Sequence, residues 1–155
     1  MAIIYESQGH VVVSYVEKKH YMLFDWSDFG IELADIQRLH ERALNWAATK
    51  SCYAFVADTS RVKNELSKEI IDWWGRIWVP RLAAYKLKTI VTVVPKTATA
   101  LFSTHKWQRQ VMSGIVMVNV PSLAEDSAER VAGDVLADAT VGPSRSGRTV
   151  AGCRR

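Results

Sequence analysis

Residues 53–95, YAFVADTSRVKNELSKEIIDWWGRIWVPRLAAYKLKTIVTVVP, decide the fold. Residues 53–57 (YAFVA) form an unbroken apolar run, the pattern of a strand covered on both faces. Residues 88–94 (KTIVTVV) are β-branched and stop at Pro95, which marks a second such strand. A polar loop and a Trp-rich helical segment lie between them. Strand, helix and strand in this order predict a right-handed parallel crossover. The first strand ends in Asp58-Thr59-Ser60, where such units usually carry a functional loop.

Wound as a regular helix, the segment 65–79 gathers Leu66, Ile70, Trp74, Ile77 and Trp78 on one arc, with Ile71 and Trp73 at its edges. Lys68, Asp72, Gly75 and Arg76 fall on the other side. The arc is wider than a surface helix needs, which suits a thick core or a second packing surface. Asn64 or Ser67 can cap the start. Pro80 lacks an N–H and disfavours helical geometry at Val79, so the helix is expected to kink or end there, with Arg81–Ala84 as a last turn.

Working outward, residues 2–6, 11–16 and 20–26 read as strands with short connections, hence antiparallel neighbours. A helix follows over about 31–49, with Ile36, Leu39, Ala43 and Ala47 at helical spacing. Asp35 and Arg38 are surface neighbours worth tenths of a kcal/mol. Beyond residue 95, the stretch 97–113 is ambiguous, with Ala98, Leu101, Phe102 and Trp107 fitting a short helix, and a strand fits 115–120. Ser122 and Glu125 form a capping box that opens a final helix to about 139. The fold class is therefore α/β, a single domain over 1–139. An antiparallel start feeds a parallel, βα-wound remainder in one mixed sheet covered by about four helices. Residues 140–155 are a basic tail rich in Gly, Ser and Arg, expected to be disordered.

The net charge of +4 belongs to that tail, which holds Arg145, Arg148, Arg154, Arg155 and no acid. The body balances its cations and acids, so no basic surface points to nucleic acid, even where Trp107 stands amid Lys106 and Arg109. Cys52 and Cys153 are too few and too differently placed for a disulfide framework, which fits a reducing compartment. No signal-peptide pattern and no run long enough to span a membrane occurs, so the expected location is cytoplasmic.

Chemistry-bearing patterns are sparse. His10, His20, His40 and His105 are scattered without metal-ligand spacing, and no phosphate-binding, dinucleotide or nucleophile-elbow motif occurs. Neither metal nor cofactor is expected, and an enzyme using Asp58 with a histidine has no motif behind it. Asp58, Thr59, Ser60 and Arg61 admit two compatible readings. Asp and Ser side chains shape the strand exit by bonding nearby backbone N–H groups. The same residues can line a polar site at the start of the following helix. Trp73, Trp74 and Trp78 are core residues by spacing; as an alternative they supply an interface or a ligand cleft, with Trp73 the most exposed.

The order β-β-β-α-β-α-β-α-β-α resembles the SpoIIAA-like proteins of the STAS superfamily, small bacterial α/β domains related to anti-sigma-factor antagonists. Phe24-Asp25-Trp26 with Phe29 carries the likeness first. It continues in Val56-Ala57-Asp58-Thr59-Ser60-Arg61, and in Trp73-Trp74 with Trp78-Val79-Pro80-Arg81-Leu82. Lys88-Thr89-Ile90-Val91 through Val94-Pro95 completes it. The resemblance implies a regulatory, protein-binding module rather than an enzyme, possible also as a homodimer. It also implies a phosphorylatable serine within Asp-Ser-Ser-Gly-Leu near the second helix. Here the segment reads Lys63-Asn64-Glu65-Leu66-Ser67, so Ser67 is the nearest candidate and the motif itself is absent. Some members are similar to lipid-binding CRAL-TRIO domains, which keeps a hydrophobic ligand under the Trp-rich helix open. Trp73, Trp74, Trp78 and Arg81 are the candidate interface or cleft residues.

Overall fold

The computed structural model describes residues 1–85, 87, 89–109 and 115–122. Six strands form one sheet in sequential order: β1 (Ala2–Ser7), β2 (Val11–Val16), β3 (Tyr21–Trp26), β4 (Ala54–Asp58), β5 (Thr89–Val93) and β6 (Val116–Val120). The β1–β2 and β2–β3 pairs are antiparallel, whereas β3–β4, β4–β5 and β5–β6 are parallel. The mixed α/β sheet thus follows the expected pattern. Gly9, at φ +79°, turns the first hairpin in a backbone region that suits glycine. The second connection is a 3₁₀ turn, Glu17–Lys19, closed by His20 in the left-handed region.

Helix α1 spans Leu33–Thr49 and α4 spans Ala98–Gln108. The ambiguous stretch 97–113 therefore holds a helix, capped by Thr97, whose side chain accepts from the Ala100 N–H. Helix α2 (Lys68–Trp73), a π turn (Trp74–Trp78) and α3 (Val79–Ala84) follow one another with helical backbone at both joins. The described residues hold three helical bodies. The expected fourth, from Ser122 to 139, and the tail 140–155 lie outside them.

Pro80 does not end the Trp-rich helix. In the π turn the Val79 N–H reaches back five residues to the Trp74 carbonyl. Pro80 then falls in the first turn of α3, where a missing N–H is tolerated. The π turn holds one residue more than an α turn would, and it rotates everything downstream. Ile77, expected in the apolar arc, is 47% exposed, and Val79 and Leu82 are buried.

Side chains alternate across the sheet as strand geometry requires. Met22, Phe24, Phe55 and Ile90 join the helices in the main core, together with Ile36, Leu39, Leu44, Ile70, Trp74 and Leu82. Val56, Val91, Val93 and Val120 form a second buried layer edged by Tyr21, Leu23 and Val118. The central parallel strands are apolar on both faces, which explains their continuous hydrophobic runs.

Candidate functional site

The loop after β4 is held by its own polar groups. Asp58 Oδ1 accepts from the Ser60 N–H at 3.0 Å and from the Ser60 hydroxyl at 2.7 Å. Thr59 is buried; its hydroxyl donates to the Val93 carbonyl at 2.5 Å, and its N–H donates to the same oxygen at 3.1 Å. Arg61 reaches sideways to Asp25 at 2.7 Å, joining the ends of β3 and β4. These bonds shape and clamp the strand exit.

Ser67 stands apart from that cluster. It is exposed and is the N-cap of α2, its hydroxyl oxygen accepting from the Ile70 N–H at 3.3 Å. Asn64, the other expected cap, instead accepts from the Phe29 N–H at 2.9 Å and pins the loop before α1. Arg81 forms a two-pronged contact with Glu41, at 2.9 and 3.2 Å, tying α3 to α1. Their hydrogen bonds hold the Arg81 guanidinium above its ordinary range and the Glu41 carboxyl below its own. Both groups are substantially exposed, so the pair contributes little to stability.

The three tryptophans converge on His40, which the motif search passed over. Its ring centroid lies 5.6 Å from Trp73, 5.7 Å from Trp74, 4.2 Å from Trp78 and 5.8 Å from Phe24. His40 Nδ1 lies 2.8 Å from the Ile36 carbonyl, and the Trp74 indole N–H donates to His40 Nε2 at 3.1 Å. The imidazole must therefore be neutral, with its proton on Nδ1. Burial pushes it down to about 3, against a weaker upward pull from the Ile36 carbonyl. The sequence signal was positional: His40 sits with Ile36, Leu39 and Ala43 on the buried stripe of α1.

Trp74 and Trp78 are buried, as core residues should be, and Trp73 is half-buried, stacked on Trp78 at 6.2 Å. Beyond Trp73, Ile77, Pro80 and Ala84 are all exposed. A cleft of about 440 Å³ opens elsewhere, where α1 and α3 end and β4 begins, lined by Leu44, Cys52, Phe55, Leu82, Tyr85 and Leu87. Cys52 is buried there; desolvation pushes its thiol up to about 12, outweighing the downward pull of backbone hydrogen bonding at Ala54 and Met22. Such a thiol is no nucleophile. Among the described residues, no three His, Cys, Asp or Glu side chains group as a metal site, and no helix is long and apolar enough to cross a membrane.

Comparison with family models, with curated proteins and with solved structures finds no match to this chain.

Proposed function

We propose that the chain is a non-catalytic, STAS-like regulatory module of the cytoplasm that binds a protein partner. The carrying observation is the apolar exposure of the Trp-rich helix: Trp73 half-buried, and Ile77, Pro80 and Ala84 exposed. A β-branched side chain 47% exposed on a Trp-rich helix is the kind of apolar surface that partners cover. The engaged state of the polar groups supports a binding role over chemistry. Asp58, Thr59 and Ser60 are committed to the turn, and both nitrogens of His40 are occupied. Ser67 remains the candidate modification site in this reading: it is exposed, and a phosphate there would face the α2 N–H groups.

A photo-crosslinking residue at position 77 tests the reading in cells. A protein adduct is expected from position 77 and not from exposed Gln37 on α1. Equal adducts from both positions, or none from 77, would remove it.

A second reading, a carrier of an apolar small molecule, is favoured by the cleft of about 440 Å³ beneath α3. That volume falls within the range of ligand pockets. Solvent extraction of purified protein followed by mass spectrometry would find a stoichiometric apolar compound if the cleft carries one.

A further inference from the structure

The cleft where α1 and α3 end and β4 begins differs in charge from the rest of the chain. All its lining residues come from residues 42–57 and 73–95. Neither stretch contains an Asp or a Glu, although acids and bases balance over the body of the chain. Lys50 stands at the rim, exposed, immediately after the last turn of α1. Its Nζ lies 5.8 Å from the Trp46 ring centroid, and among the described residues no carboxylate pairs with it. Arg38, Arg61 and Arg81 all have such partners. Lys86 and Lys88 flank the lining residue Leu87 in the chain. Against these bases stand the ends of α1 and α3, each equivalent to about half a negative charge. The adjoining turn Glu17–Lys19 adds one acid and two bases. Positive charge therefore prevails at the rim.

The interior of the cleft is apolar. Leu44, Phe55 and Leu82 form a buried floor, and Ala84 and Tyr85 carry apolar surface out to the rim. The backbone there is already engaged. The Ser51 carbonyl accepts from the Tyr15 hydroxyl at 3.0 Å, and the Tyr53 N–H donates to the His20 carbonyl at 3.0 Å. From this we infer that the cleft takes a small amphipathic molecule with an apolar chain and an anionic head. The chain lies over the Leu44–Phe55–Leu82 floor, and the head meets the Lys50 ammonium. The inference rests on the carrier reading above and adds the chemical class of the ligand. At roughly 30 Å³ per non-hydrogen atom, water's share of its own liquid, a volume of about 440 Å³ has room for about fifteen such atoms. A medium-chain fatty acid is of that size.

Calorimetric titration of the full chain tests this with two probes of equal chain length, decanoate and 1-decanol, both below the concentrations at which they aggregate. The wild-type chain is expected to bind both. Lys50→Glu should weaken decanoate about tenfold and leave 1-decanol unchanged. Lys50→Arg keeps the charge and should keep decanoate affinity. Lys96→Glu, an exposed change beyond the opposite end of β5, should alter neither. The 1-decanol titration also shows that each variant retains its folded cleft. Decanoate affinity indifferent to Lys50→Glu overturns the inference and leaves the carrier reading standing. Equal losses for both probes, or wild-type binding of 1-decanol alone, have the same meaning. Binding of neither probe overturns the inference and the carrier reading together.

Discussion

The indole N–H of Trp74 donates to Nε2 of His40 at 3.1 Å, across the gap between the Trp-rich helix and α1. The opposite ring nitrogen faces the Ile36 carbonyl at 2.8 Å. Protonating Nε2 would set two donors against each other inside an aromatic box, and would charge a group sealed from water. Burial drives the folded-state value down to about 3 from 6.5. Because the folded value is depressed, the unfolded chain binds the proton first. Stability is full above about pH 6.5 and falls as pH drops toward 3, by up to about 1.4 kcal/mol per unit. Urea midpoints measured by Trp fluorescence from pH 8 to 4 should show this slope, and His40→Leu should flatten it.

Trp74→Phe strands the acceptor on His40 while keeping most of the ring contacts. A loss of about 1–3 kcal/mol is expected in denaturant unfolding. Adding His40→Leu removes the stranded acceptor, so the double variant should lose less than the two single changes added together.

The Cys52 thiol, pushed up to about 12, is protonated at neutral pH and buried just before β4. Iodoacetamide at pH 8 should label the Cys52 peptide far more slowly in native protein than in urea, by well over about tenfold, as read by peptide mass mapping.

Two substitutions separate stranded from satisfied hydroxyl and carboxyl groups. Among the described residues, Thr89 Oγ1 is buried without a hydrogen-bond partner. Thr89→Val should raise stability by about 1 kcal/mol, since it removes a desolvated group and preserves shape.

Asp58→Ala, by contrast, removes the acceptor for both bonds from Ser60. A loss of about 1–2 kcal/mol is expected in thermal or urea unfolding. If the loop serves only as a turn, crosslinking from position 77 should be unchanged in the folded fraction of this variant.

The strands were legible because continuous runs such as AFVA and TIVTV have one physical use, burial on both faces, and short connections force the first three to be neighbours. Residues 97–113 stayed ambiguous because α4 has almost no amphipathic pattern: Ala100, Ser103 and Thr104 are its buried members. Ile77 was misplaced for a different reason. A helical wheel assumes one winding from end to end, and the backbone around Pro80 does not keep it. His40 was overlooked because a histidine scan looks for partners along the chain, whereas Trp73, Trp74 and Trp78 reach it from another helix. Asp58, Thr59, Ser60 and Arg61 follow one another at the exit of β4, so their closeness was plain from the chain. What each one bonds depended on Asp25 and Val93, which only the sheet register brings near.

The π turn at Trp74–Trp78 has a consequence for how this helix tolerates changes in length. It contains one residue more than an α-helical path between Trp74 and Val79 requires. Deleting Gly75 would leave the Val79 N–H four residues from Trp74, in ordinary α register, with Trp74 and Val79 still facing the core. Shortening by one residue, which shifts the register of most helices, would here restore regular winding. The bulge thus marks the position at which this rod can change length with its two ends still seated.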